Sequence, residues 1–150
     1  MDKNQTLKRV AMVIAIAVII LLIITAYNGK PQASPKLTLP DLIIEDLYKE
    51  SSSCTGGSNS ICTFTLSAIV KNMGSVDSEK NVLEVSINDG VYTDYGQIPA
   101  LSVGQSAKVF TGFLNVPQGN YGADAKADYL DKVNEIKEGN NEKTLNFKLP

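Results

Sequence analysis

The sequence predicts an all-β protein: an immunoglobulin-like sandwich of two antiparallel sheets with about seven strands, preceded by one N-terminal transmembrane helix. Three observations predict this class. From residue 41 onward, short runs alternate apolar and polar side chains with the period of two that strands have. No helical periodicity separates these runs. Residues 10–26 form one uncharged apolar run, which ends before the first alternating run.

The N-terminal segment predicts a membrane anchor over residues 10–27 with a cytoplasmic end at residues 1–9. As a helix, an apolar run of this length is about 25 Å long, close to the thickness of the hydrocarbon core. Three basic residues precede it: Lys3, Lys8 and Arg9. This charge bias keeps the N-terminus inside and sends the remainder across. Bulky Ile24 at the exit favours an uncleaved anchor, with a cleaved signal peptide as the alternative.

Residues 28–40 are predicted to be a linker, because one glycine and three prolines disfavour both helix and sheet. The folded domain then occupies residues 41–150 and stands near the membrane. We therefore expect a single-pass protein of the cytoplasmic membrane with its C-terminal domain on the extracytoplasmic side.

Within the domain, the alternating runs predict strands in chain order. They are 41–48, 62–71, 82–88, 91–95, 106–114, 120–127 and 142–149. Asp89-Gly90 is predicted to be a two-residue hairpin turn, since both positions of such a turn need positive φ. Residues 51–60 are rich in Ser and Gly and are predicted to be a loop.

The two cysteines, Cys54 and Cys62, lie within and just after that predicted loop. An even pair in an exported domain predicts a disulfide. A metal site is disfavoured because the chain has no His, and the spacing differs from that of a thioredoxin-type redox pair.

Composition excludes two classes of function. Residues 31–150 contain more acidic than basic side chains, which argues against a nucleic-acid partner because phosphate binding needs a basic face. The sequence has no His for general base work, no phosphate-binding glycine loop and no nucleophile elbow. We therefore predict that the protein is not an enzyme.

The stretch 128–141 is dense in Asp, Asn and Glu and lies between the last two predicted strands. We interpret it as a structural loop, in which short polar side chains cap the backbone while Val133 and Ile136 pack beneath as a lid. The residues assigned to this role are Asp128, Asp131, Val133, Glu135, Ile136, Asn140 and Asn141.

The alternative for this stretch is a Ca²⁺ site, because hard cations take six to eight oxygen ligands. Its candidate ligands are Asp128, Asp131, Glu135, Glu138 and Asn140. The spacing is not that of an EF-hand. The interpretation as a structural loop predicts no cofactor.

Several segments together resemble the CARDB family, the cell-adhesion-related domain of bacterial and archaeal surface proteins. They are Pro40-Asp41-Leu42, Phe64-Thr65-Leu66, Val70-Lys71-Asn72-Met73-Gly74, Leu101-Ser102-Val103-Gly104-Gln105-Ser106, Gly119-Asn120-Tyr121 and residues 128–141. The resemblance implies an immunoglobulin-like sandwich displayed outside the cell, and the family name implies adhesion. The Cys54–Cys62 loop and the single copy behind an anchor depart from the usual arrangement.

From these observations we expect a non-catalytic, membrane-anchored binding or adhesion module that contacts a protein or a polysaccharide at the cell surface. The alternative is an accessory subunit of a larger envelope or surface-filament complex, docked through its transmembrane helix. Archaellum stator subunits share this layout of one helix and a β-sandwich, which is an analogy of layout alone.

Overall fold

The computed structural model describes residues 12–14, 16–23, 37–57 and 60–150. The chain divides into two units, Met1–Lys36 and Leu37–Pro150. In the first unit, residues 12–14 and 16–23 are helical. No helix among the described residues has the length and apolar character that crossing a membrane requires. The predicted cytoplasmic end, both ends of the predicted anchor and residues 28–36 of the linker lie outside the described residues.

The second unit is a sandwich of two antiparallel sheets with seven strands, which confirms the sandwich part of the predicted fold class. The three-stranded sheet has the order β1-β2-β5, and the four-stranded sheet has the order β4-β3-β6-β7. The strands are β1 (Leu42–Thr55), β2 (Ile61–Asn72), β3 (Asn81–Ile87), β4 (Tyr92–Ile98), β5 (Ser106–Pro117), β6 (Gly119–Lys126) and β7 (Glu142–Leu149).

The core lies between the sheets and is built from alternate residues of each strand. On β2 and β3 the alternate apolar side chains are all buried: Phe64, Leu66, Ala68, Val70, Leu83, Val85 and Ile87. Phe64 joins the two sheets: its ring stacks on Phe113 of its own sheet at 5.1 Å and tilts against Phe147 of the other at 5.3 Å. Aromatic contacts of this kind add to the stabilisation that burial of the rings supplies.

Strand β1 departs from simple alternation. Ile44 and Leu47 are both buried although they are three positions apart. A register shift between Ile44 and Asp46 inserts an extra residue, and such a bulge returns the following side chain to the inner face.

The prediction of a loop over residues 51–60 is wrong for its first half. Strand β1 continues to Thr55, which pairs with Ile61, and Cys54 lies directly opposite Cys62. The structure contains the predicted Cys54–Cys62 disulfide. A polar composition here does not indicate a loop, because the pairing with β2 decides the conformation and tolerates serine on exposed positions.

The hairpin between β3 and β4 has the predicted turn. Asp89 has φ 54° and Gly90 has φ 87°, and the Val91 N–H donates to the Asn88 carbonyl at 3.2 Å. Both central positions are therefore left-handed, which is the requirement that favours Asp-Gly in such turns.

Candidate functional site

The loop between β6 and β7, residues 127–141, crosses one end of the sandwich, and we call it the closing loop. Its ends are tied together, since the Ala127 N–H donates to the Asn141 carbonyl at 2.9 Å. Two further backbone bonds attach it elsewhere: Tyr129 donates to the Val82 carbonyl at 3.0 Å, and Ile136 donates to the Pro40 carbonyl at 3.0 Å. The loop is thus anchored both to β3 and to the segment that leads into β1.

Asp128 braces the first turn of the closing loop. It is 1% exposed, and its carboxylate accepts the Lys132 N–H at 3.2 Å and the Val133 N–H at 2.8 Å. Its backbone is left-handed with φ 49°, a conformation that Asp tolerates better than most residues. Asp128 therefore caps two backbone N–H groups of the closing loop.

The two apolar residues of the predicted lid differ in burial. Val133 is buried and belongs to the core, whereas Ile136 is 39% exposed. The burial of residues 133–136 alternates, so that Glu135, rather than Ile136, shares the inward face with Val133. An extended segment places alternate side chains on one face, and a spacing of three cannot keep both apolar residues inside.

Glu135 is the unusual residue of the loop. Its side chain is 4% exposed, and Oε2 accepts the Leu42 N–H at 2.8 Å. Its own N–H donates to Glu138 Oε1 at 2.8 Å. Burial raises the pKa of the Glu135 carboxyl to about 7, and the bond from Leu42 opposes that rise. The nearby carboxylates of Glu138, Asp128 and Asp41 raise the pKa further.

Asn72 holds the segment that leads into β1. It is 0% exposed, and its Oδ1 accepts the Asp41 N–H at 3.2 Å and the Gly74 N–H at 3.0 Å. Its Nδ2 donates to the Val76 carbonyl at 2.8 Å and to the Leu101 carbonyl at 3.0 Å. The sequence analysis gave Asn72 no such role; an Asn at a strand end with Gly two residues later was the available signal.

Two amides complete the arrangement. Asn140 Nδ2 donates to Asp41 Oδ1 at 2.9 Å, and Asn141 Nδ2 donates to the Ala127 carbonyl at 3.0 Å. The Oδ1 atoms of both residues are buried and have no hydrogen-bond partner. The same is true of Oε1 of Glu135. Three acceptor oxygens within one loop are thus left unpaired, although buried polar atoms are nearly always bonded.

The five candidate calcium ligands make different contacts in the structure. Asp131 is exposed and pairs with Lys126 at 3.4 Å, while Asp128 and Glu138 accept backbone N–H groups of the loop. Glu135 instead bonds Leu42 at the start of β1, and Asn140 bonds the preceding residue, Asp41. Among the described residues, no group of three or more His, Cys, Asp or Glu side chains could hold a metal ion. Sequence reasoning missed Asp41, which lies outside the acidic stretch.

The raised pKa of Glu135 predicts a pH dependence of stability in metal-free buffer. The folded carboxyl has a pKa of about 7 against a reference value of 4.5, so the folded state holds the proton more tightly. The contribution of the protonated Glu135 carboxyl to the unfolding free energy is complete below about pH 4.5. It is lost as the pH rises to about 7. From pH 5 to pH 8, the unfolding free energy should fall by on the order of 2 kcal/mol more in the natural protein than in Glu135→Gln.

Urea denaturation of the full-length chain in EDTA at several pH values measures this difference. Glutamine keeps an acceptor for the Leu42 N–H, so the comparison isolates the ionisation. Parallel pH profiles for the two proteins would contradict the assignment.

Comparison with known proteins gives two kinds of match. The model of the CARDB family matches residues 39–145. A search of curated proteins found no significant match. Among solved structures, the CARDB domain of a Pyrococcus furiosus protein, crystallised in complex with di-metal ions, is 20% identical, with a TM-score of 0.57 over 79% of this chain and 96% of that one.

A second solved structure is a domain from Methanosarcina acetivorans, in a protein named as a cell surface protein. It is 22% identical, with a TM-score of 0.54 over 73% of this chain and 91% of that one. At these identities, the structural matches establish the shared fold alone.

Proposed function

Since the chain belongs to the CARDB family over residues 39–145, we propose that it is a non-catalytic surface module, held at the cytoplasmic membrane by its N-terminal segment. In this proposal the domain lies outside the cell and contacts a protein or a polysaccharide. The observation that carries it is the family match directly behind an uncharged apolar run with basic residues in front.

Two observations support a location outside the cytoplasm. The Cys54–Cys62 disulfide fits an oxidising compartment, where such bonds persist. The Methanosarcina acetivorans relative is named as a cell surface protein.

The arrangement of polar groups supports a non-catalytic role. The buried side chains of Asn72 and Asp128 hold backbone groups in place. Glu135, whose pKa lies near neutrality, is buried and has one oxygen bonded to the β1 backbone. A general base instead needs to reach a substrate proton.

The outer face of the three-stranded sheet supports a contact with a protein partner. Phe110 and Leu114 on β5 are 55% and 67% exposed, and both point outward. Lys108 lies on the same face, 5.2 Å from the ring centroids of Tyr48 and Phe110. Adjacent exposed aromatic and aliphatic groups are typical of contact surfaces.

Protease accessibility tests the topology. Protease added to intact spheroplasts should digest residues 41–150 and leave a small N-terminal fragment in the membrane. Protection of the domain, or a mature N-terminus near Tyr27, would overturn the proposed anchor.

Cross-linking of the full-length protein in native membranes separates the module from the alternative, an accessory subunit docked through its helix. Replacing residues 10–26 with an unrelated transmembrane segment should leave the cross-linked species in place, and Phe110→Ser with Leu114→Ser should remove it. Leu130→Ser is the matched control, since Leu130 is 49% exposed on the closing loop. The opposite pattern would favour the subunit.

A further inference from the structure

We propose that Asp41, Glu135 and Asn140 form an oxygen-ligand site for a divalent cation of the calcium class, where the closing loop meets the start of β1. This site differs from the five-residue set that the sequence suggested, because it includes Asp41 and uses none of Asp128, Asp131 and Glu138.

The hydrogen bonds bring these side chains to one place. Glu135 Oε2 accepts the Leu42 N–H at 2.8 Å, and Asn140 Nδ2 donates to Asp41 Oδ1 at 2.9 Å. Asp41 and Leu42 are consecutive, and consecutive Cα atoms lie about 3.8 Å apart. The Glu135 carboxylate and the Asn140 amide are therefore attached to neighbouring points of the chain. Asn72 fixes those points by accepting the Asp41 N–H at 3.2 Å.

Each loop residue leaves an oxygen unused. Glu135 is 4% exposed, and its Oε1 is buried without a hydrogen-bond partner. Asn140 Oδ1 is likewise buried and unpaired. Its amide orientation is set by the bond that its NH₂ group donates to Asp41, so the unpaired atom is the carbonyl oxygen. Unpaired buried acceptors are costly, and a cation can satisfy both.

Charge favours a cation over a neutral donor. Asp41 and Glu135 are carboxylates, and Asp128 and Glu138 lie close enough to act on Glu135. Within the described part of the chain, the ion pairs are Lys71–Glu45, Lys108–Glu50 and Lys126–Asp131, and none of them includes these four acids. Carboxylate and amide oxygens suit Ca²⁺, which accepts irregular geometry and water ligands. The absence of His from the sequence disfavours softer metals.

Calorimetry and thermal melts test the site on the full-length protein, stripped with EDTA, in detergent at constant ionic strength. Titration with CaCl₂ should show saturable binding to one site. At a hundredfold excess over the Kd, the Tm should rise by about 5 °C or more, because the cation binds the folded state alone. Absence of binding heat together with equal Tm values in EDTA and CaCl₂ would overturn the proposal.

Variants locate the site through the calcium-dependent shift in Tm rather than the absolute Tm. Glu135→Gln keeps an acceptor for Leu42 but removes the charge, and should abolish the shift. Asp41→Asn keeps an acceptor for Asn140 and should weaken binding at least about tenfold, which gives a second readout if the first variant does not fold. Asp131→Asn, on the exposed side of the same loop, should retain the full shift. A shift that survives in Glu135→Gln, or an equal shift with MgCl₂, would refute this assignment.

Discussion

Asn72→Ala is expected to lower the unfolding free energy by about 3 kcal/mol or more, because three buried or partly buried backbone groups lose their side-chain partner at once. Two of these groups are N–H donors, of Asp41 and Gly74, and the third is the Val76 carbonyl; the Leu101 carbonyl keeps the Ser78 N–H as a donor. A buried polar group without a partner costs about 1–3 kcal/mol. A typical domain is stable by about 5–15 kcal/mol, so this variant should lose a large share of its stability.

Urea denaturation of the full-length protein, followed by circular dichroism, measures the Asn72→Ala effect. Asn146→Ala is the matched control, because Asn146 is an exposed residue of β7, and it should change stability by no more than about 0.5 kcal/mol. The Asn72 side chain would have a smaller role than its bonds indicate if the two variants differed by less than about 1 kcal/mol.

Asp128→Ala is expected to lower the unfolding free energy in EDTA by about 3 kcal/mol, through two separate effects. The Lys132 and Val133 N–H groups lose their acceptor, and alanine is strained at φ 49°. Damage at Asp128 therefore does not by itself indicate bound calcium, since its carboxylate is already occupied by the backbone.

Asp131→Ala is the control that isolates the cap. Asp131 has φ 48°, nearly the same backbone strain as Asp128, but its side chain is 70% exposed. Asp131→Ala should lower the unfolding free energy by only about 1 kcal/mol, because of backbone strain and the loss of a weak surface ion pair. Thermal melts of both variants in EDTA give the comparison. Equal losses would mean that the backbone conformation, rather than the cap, accounts for the effect at Asp128.

Several features could be predicted because their causes are local. Alternation with period two is visible in Phe64 to Val70 and in Leu83 to Ile87, and it places these side chains inward wherever the strands pair. The Asp89-Gly90 turn follows from the φ values that each residue tolerates. The Cys54–Cys62 disulfide was expected from cysteine number and export, without knowledge of the strand pairing that places the two opposite each other.

Other features were decided by residues far apart in the chain. The Ser-rich end of β1 is a strand because β2 pairs with it, and Leu47 is inward because of a bulge that alternation cannot reveal. The composition of the acidic stretch showed that oxygens were abundant there. It could not show which of them face solvent and which face the core.

By itself, the sequence determined the sandwich, its family and which side chains of most strands face inward. These features depend on periodicity and turn chemistry within a few residues. The tertiary structure alone decided the site. It brings Glu135 and Asn140 to Leu42 and Asp41 across separations of 93 and 99 residues, and Asn72 to Asp41 across 31. The contacts of Glu135 and Asn140 depend on how the two sheets pack, and that of Asn72 depends on the pairing of β1 with β2. No local pattern of residues encodes either arrangement.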